Sequence, residues 1–271
     1  MALELGLKGR TAVVTGGSKG IGRAIARGLA REGLNLVLMA RGMDALAATA
    51  ADLRERYGVN ALPVAADITR TESVQAAADA ARATFGNVNI VVNNAGNPIR
   101  RTDRQILWPD TDWIGDLDGK LIGSLRVIQA FIPLMPADGT GRIINISGTA
   151  STVVWAPALT HGLNNAAMNQ ATGYLAHDLA SQQITVNTVV PGLVGTEGRQ
   201  AWAENMAKQQ NVPVEEFLAG FCKRMGILSG RWATMDEVAD SVLFLASDRG
   251  RYYNGAKIIM DGGLNVNVRP A

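Results

Sequence analysis

Residues 10–22 read Arg10-Thr11-Ala12-Val13-Val14-Thr15-Gly16-Gly17-Ser18-Lys19-Gly20-Ile21-Gly22. A brief apolar run ends in a cluster of glycines, and a helical pattern from Gly22 to Arg31 follows it. Such a run reads as a strand buried on both faces, entering a tight turn and then a helix. The glycines permit the turn, let backbone approach a ligand closely, and let the helix pack against the strand. Gly16, Ser18, Lys19, Gly20, Ile21 and Gly22 would then present free amides at a helix start, a place suited to a pyrophosphate. A glycine-rich turn alone is a weak signal; its position between strand and helix strengthens it.

The same rhythm continues outward. LNLVLMAR, ALPVAAD, VNIVVNNAG, GRIINISG, QITVNTVVPG and GAKIIMDGG are further short apolar runs closed by turn signals. Helical patterns at Met43 to Tyr57, Ser73 to Phe85 and Asp236 to Ser247 lie between them. Alternation of this kind predicts an α/β fold, a parallel sheet with helices on both faces, doubly wound by right-handed crossovers. No linker, repeat or low-complexity tract divides the 271 residues, so a single domain over 1–271 is expected. Residues 193–225 interrupt the rhythm with mixed helical sequence beyond the end of a late strand, the place of a substrate lid. Trp202, Met206, Phe217 and Phe221 would form the lid's apolar face, suited to a substrate with hydrophobic bulk.

Composition narrows the function. Hydrophobic residues make up 47% and charged residues 18%, which excludes a disordered chain. Net charge is +2, too small to argue for nucleic acid or a membrane surface, and the pI near 8.8 adds little. Cys222 is the single cysteine, and no Cys/His spacing suggests a metal. No apolar run is long enough to span a bilayer, and the N-terminal residues lack the pattern of a secretory signal. A cytoplasmic protein acting on a small molecule is the expectation.

The second apolar run ends Met39-Ala40-Arg41. An NAD site usually presents an acid there to the ribose hydroxyls, whereas Arg41 suits a 2′-phosphate, with Lys19 as a second cation. NADP(H) is therefore the expected cofactor. Taken together, Thr15-Gly16-x-x-x-Gly20-x-Gly22, Asp67, Asn93-Asn94-Ala95-Gly96, Pro191-Gly192 with Thr196, and Asp261-Gly262-Gly263 resemble the short-chain dehydrogenase/reductase family over nearly the whole chain. The resemblance implies a seven-stranded Rossmann-type sheet and a homo-oligomer, tetramer or dimer. It assigns Asp67 to the adenine ring, Asn94, Ala95 and Gly96 to the fourth-strand motif, and Pro191, Gly192 and Thr196 to the nicotinamide.

The resemblance breaks at the catalytic positions. Family members carry Tyr-x-x-x-Lys on one helix, a Ser about thirteen residues earlier and an Asn on a preceding helix. The Tyr moves a proton at the substrate oxygen, the Lys lowers its pKa and holds the ribose, and the Ser polarises the carbonyl. Here His161 and Asn165 stand at Tyr and Lys, Gly148 at Ser, and Lys120 at Asn. Ser147 is adjacent to the Ser position, but neighbouring strand residues point to opposite faces, so only a bulge would turn it inward. His161 is a candidate acid/base, since imidazole titrates near neutrality without help and a nearby Lys120 would move it lower. Asn165 retains a donor and acceptor for a ribose hydroxyl. Tyr174 reads as packing and His177 as surface.

Arg100, Arg101 and Arg104 follow the fourth-strand motif; convergence of two on the crevice would indicate an anionic substrate. Trp108 and Trp113 read as packing. Three functions remain open: an NADP-dependent oxidoreductase with an altered acid/base set, a lyase, hydratase or isomerase on the same fold, and a catalytically inactive NADP-binding subunit.

Overall fold

A computed structural model describes residues 4–96, 104–155 and 158–266. Seven strands form one parallel sheet: β1 (Thr11–Thr15), β2 (Asn35–Ala40), β3 (Ala61–Ala65), β4 (Ile90–Asn93), β5 (Arg142–Ile146), β6 (Thr185–Pro191) and β7 (Lys257–Met260). Their order is β3-β2-β1-β4-β5-β6-β7. The chain winds outward from β1 in one direction and from β4 in the other, so a crevice opens beyond the carboxyl ends of β1 and β4.

The strand alternation explains how both faces are covered. Ala12, Val14, Leu36, Leu38, Ile90, Val92 and Ile144 point to one face, against helices α1 (Gly20–Arg31), α2 (Met43–Tyr57) and, near the C-terminus, Met235–Ala246. Val13, Val37, Met39, Val91, Ile143 and Val186 point to the other. That face packs on α3 (Thr71–Phe85), on Gly123–Phe131 and on the buried end of Leu159–Asp178. A fully buried aliphatic side chain contributes about 1.5–3 kcal/mol, so the two layers hold the crevice walls rigidly.

Between β4 and β5 the chain forms α4 (Asp110–Leu117), one π-helical turn at Asp118–Ile122, and α5 (Gly123–Phe131). Turns of this kind inside helices cluster at functional sites. After β5 a short 3₁₀ turn, Thr149–Ser151, leads toward α6 (Leu159–Asp178).

The segment after β6 contains α7 (Glu197–Gln210) and α8 (Val214–Met225), followed by α9 (Met235–Ala246). Thr234 and Glu237 cap α9 reciprocally. The four residues expected on an apolar lid face lie together in this segment. Trp202 meets Phe217 and Phe221 edge-on at 5.7 and 5.5 Å and stacks near Trp232 at 6.3 Å, while Phe217 is buried and Met206 packs beside it. Met206, Phe217 and Phe221 help fill the core of the helical hairpin, because two short helices must bury their apolar stripes against each other, while Trp202 remains 42% exposed.

Candidate active site

The glycine turn is held from the neighbouring strand. Thr15 Oγ1 accepts hydrogen bonds from the backbone amides of Asn94 and Ala95, both at 3.0 Å, and Asn94 Nδ2 donates to the Thr15 carbonyl at 3.0 Å. Asn94 thus braces the turn rather than standing free in the crevice. Gly16 has a φ of +68°, and a β-carbon there would lie 2.8 Å from Asn94 Nδ2; one on Gly22 would overlap the Gly16 carbonyl. Glycine is required at both places for this reason. Lys19 precedes α1 in extended conformation, and no side chain caps the helix or places an acid in its first turn. The helix dipole and its amides are consequently open to an anion.

Around this turn lie the other cofactor candidates. Lys19 and Arg41 are both exposed, at the carboxyl ends of β1 and β2. Asp67 Oδ1 accepts from the Thr69 amide and hydroxyl at 3.0 and 2.8 Å. Those bonds, with Arg41 and Arg70 nearby, hold its carboxyl below the usual carboxylate range. Pro191 ends β6; the Gly192 amide donates to the Met260 carbonyl at 3.0 Å, and a β-carbon on Gly192 would lie 2.9 Å from Asp261 Cα. Thr196 starts α7 and lies over the glycine turn, its methyl 4.0 Å from where a Gly20 β-carbon would be.

On the catalytic side, Gly148 faces the α6 side chains. A β-carbon on it would lie 3.2 Å from Asn165 Nδ2 and 3.6 Å from His161 Nε2. Gly148 thus lies just past the end of β5, beside these two α6 side chains. Ser147 is buried with its hydroxyl unpartnered in the described structure, and its amide donates to the Val189 carbonyl at 3.0 Å. Asn165 is fully buried, and neither amide atom has a partner. A buried amide left so is costly, about 1–3 kcal/mol, and its two hydrogen-bonding groups fit ribose hydroxyls. With the glycine cradle, this is a set of residues that fits a nicotinamide dinucleotide.

Lys120 lies in the π-helical turn, its stem against Gly96: a β-carbon on Gly96 would lie 3.2 Å from Lys120 Cδ. Burial of the ammonium lowers its pKa to about 8 against the opposing pull of Asp116. His161 is pushed further. Burial first, then the charge of Lys120, lower its pKa to about 4, with Asp116 again opposing. The imidazole is neutral throughout the neutral range. This corrects the expectation of His161 as an acid titrating near neutrality; desolvation, which adds to the cation effect, is the reason.

Asp116 and Asn164 are the residues missed from the sequence. Asp116 is buried on α4, and Asn164 Nδ2 donates to its backbone oxygen at 3.1 Å and to Oδ2 at 3.2 Å. The four-residue step from Asp116 to Lys120 and the neighbour relation of Asn164 to Asn165 were the available signals. A second buried polar set joins the strands below: Asn93 Nδ2 donates to Asn145 Oδ1 at 3.0 Å, and Asn145 Nδ2 to Thr172 Oγ1 at 3.1 Å. Tyr174, expected to pack, is 67% exposed, because it lies on the solvent side of α6. His177 is exposed beside Asp178, as its surface reading requires. Trp108 is buried, and its carbonyl accepts from Trp113 Nε1 at 3.2 Å. Arg104 is exposed; Arg100 and Arg101 lie outside the described residues. Among the described residues no cluster of His, Cys, Asp and Glu could hold a metal ion, and no helix is long and apolar enough to cross a membrane.

The profile of a family described as enoyl-(acyl carrier protein) reductase matches residues 16–265. The chain belongs to the short-chain dehydrogenase/reductase family. It is an oxidoreductase of that family, and its seven-stranded sheet is the family's fold. An oxidoreductase from Salmonella typhimurium, UcpA, is 36% identical over 259 residues, 95% of each chain. The 3-oxoacyl-[acyl-carrier-protein] reductase of Staphylococcus aureus is 29% identical, covering 94% of this short-chain dehydrogenase/reductase and 98% of its own length. Among solved structures, L-sorbose reductase from Gluconobacter frateurii, complexed with NADPH and L-sorbose, superposes with a TM-score of 0.90 at 31% identity. The match covers 98% of this chain and 100% of that one. A short-chain oxidoreductase from Pseudomonas aeruginosa, NADPH-bound and described as containing an atypical catalytic center, has a TM-score of 0.86 at 27% identity, covering 97% and 98%.

Proposed function

We propose that the protein is an NADPH-dependent reductase of a small carbonyl compound in which Lys120, not His161, is the proton donor. The observation that carries this reading is the lysine in the π-helical turn. It is desolvated, lies over Gly96 of the fourth-strand motif, and shares the crevice with an imidazole that burial holds neutral. An acid with a pKa near the working pH combines adequate protonation with adequate driving force for transfer.

Ser18, Lys19, Gly20, Ile21 and Gly22 would hold the pyrophosphate, Arg41 and Lys19 the 2′-phosphate, and Asp67 the adenine; Gly16, expected to offer a free amide, instead donates it to the Met39 carbonyl at 2.7 Å and supports the turn from below. Asn94, Ala95 and Gly96 shape the crevice floor, while Pro191, Gly192 and Thr196 close over the nicotinamide end. The bound cofactor supplies hydride. Asn165 would satisfy its two amide groups on the ribose, replacing the family's lysine in that duty. Lys120 would give its proton to the oxygen of the substrate carbonyl, and neutral His161 would orient that oxygen by a hydrogen bond. Ser147 would take no part in the proton transfer. The hairpin at 193–225 serves as the lid, and the family resemblance supports a cytoplasmic homo-oligomer, dimer or tetramer.

Purified protein mixed with NADPH and a panel of ketones, aldehydes and enones tests the reading through loss of the 340 nm absorbance. Reduction is expected to plateau at lower pH and fall as pH rises through about 8, where the lysine loses its proton. Lys120→Met is expected to lower turnover by roughly 10²–10⁴ while NADPH still binds. Tight NADPH binding without oxidation on any substrate would overturn it, and product formation without absorbance change would indicate the non-redox alternative.

A further inference from the structure

The geometry points to Asp116 as a positioning residue that, anchored by Asn164, keeps the Lys120 amine protonated and aimed into the crevice. This rests on the reading of Lys120 as the acid and extends it to a carboxylate that none of the family's motifs contains. A buried carboxylate is expensive unless paired and hydrogen-bonded. Asp116 is buried to 2% exposure, and the Asn164 amide holds both its backbone oxygen and its side chain. Asn164 is itself buried and adjoins Asn165, so α6 carries the anchor beside the cofactor candidate. Asp116 is the penultimate residue of α4, one turn before the lysine, and the π turn begins two residues later.

The charges around this pair are few among the described residues. Asp116 comes from α4, Lys120 from the π turn, His161 from α6, and Arg199 of α7 adds a weaker positive field at the imidazole. Asp118 is engaged by Arg126 at 2.7 Å, away from the pair. No charge from β4, α5 or the turn after β5 acts on Lys120, so Asp116 is its one resolved counter-charge among the described residues. With an anion nearby the ammonium form is favoured, and without it burial acts unopposed.

Competitive labelling with acetic anhydride across pH, read by mass spectrometry of the Lys120 peptide, measures the lysine's titration without any substrate. In Asp116→Asn the midpoint is expected to fall by about 1–3 pH units, and Asp116→Glu to restore most of it. Should Asp116→Asn not fold, Asn164→Ala frees the carboxylate from its anchor and is expected to lower the midpoint in the same direction by a smaller amount. An unmoved midpoint in a folded Asp116→Asn or Asn164→Ala protein overturns the inference. The alkaline limb of NADPH oxidation should move with the labelling midpoint. If labelling shifts and the limb does not, Asp116 controls Lys120 but Lys120 is not the acid, so the two readings fail separately.

Discussion

His161 Nε2 lies 3.6 Å from the place a β-carbon on Gly148 would occupy, and Asn165 Nδ2 lies only 3.2 Å from it. The three positions are closely fitted, and a side chain at 148 requires the Asn165 amide to give by a few tenths of an ångström. Gly148 has an extended backbone, so no conformational strain is involved and the effect is one of volume alone. Gly148→Ser is expected to destabilise the protein by about 1–3 kcal/mol, as overpacking generally does. Adding Asn165→Ala should recover much of the loss, a non-additivity measurable by urea denaturation of the two single variants and the double variant. Strict additivity would show that the side chains do not compete for one space.

Asn165 offers a sharper contrast between stability and binding. Its two amide atoms are buried without partners, and removing such groups relieves a penalty of about 1–3 kcal/mol. Asn165→Leu is therefore expected to raise the melting temperature of the cofactor-free protein. The further rise on adding saturating NADPH should shrink, since the ribose contact is gone. A variant less stable without cofactor and unchanged in its NADPH-induced shift would mean that the amide faces something other than the ribose.

His161 makes the fold sensitive to acid. Its pKa is about 4 in the folded protein, below the ordinary imidazole value of 6.5, so between those limits the unfolded chain binds the proton more readily. Stability from this residue is present above pH 6.5 and is lost as pH falls toward 4, by on the order of 3 kcal/mol. His161→Phe should flatten the melting temperature across that window, measured by calorimetry at half-unit steps. A slope as steep as that of the parent protein would place the acid sensitivity elsewhere.

Arg41 is expected to discriminate between the two dinucleotides. Arg41→Asp removes a cation and places an acid beside the 2′-phosphate, so NADPH binding should weaken much more than NADH binding. Fluorescence titration with each cofactor separates the cases. Equal losses would show that Lys19 or another group reads the phosphate.

The sheet was legible because parallel strands buried on both faces are continuous apolar runs, as in Ala12–Val14, Val37–Met39 and Ile143–Ile144. Helix α3 begins at Thr71, two residues before the Ser73 expected, since its first turn is polar and exposed. Helix α6 was harder to bound. Asn164, Asn165, Asn169 and Thr172 occupy its buried positions, which inverts the usual pattern of apolar residues facing inward. The relation of His161, Asn165 and Gly148 could be read from spacing, because one helix and one strand end set it. Asp116 could not, because its approach to Asn164 depends on how α4 docks on α6, a tertiary relation that no local period encodes. The protonation of His161 was only half legible: the cation was visible at Lys120, and the desolvation was not.

The aromatic hairpin formed by α7 and α8 has a consequence for how this enzyme can diversify. Trp202, Phe217 and Phe221 of the hairpin pack on one another and on Trp232, which follows it, and Phe221 and Cys222 also pack with Leu193, Ile227 and Leu264. A segment built like this is a cassette. Between Glu197 and Met225 it can be exchanged for a hairpin of different shape, with Thr196 and the contacts to Leu193, Ile227 and Leu264 retained, while β1, the glycine turn and α6 keep their positions. Substrate range and cofactor grip are then separately heritable, and laboratory evolution of new substrates can be confined to one contiguous stretch of the gene.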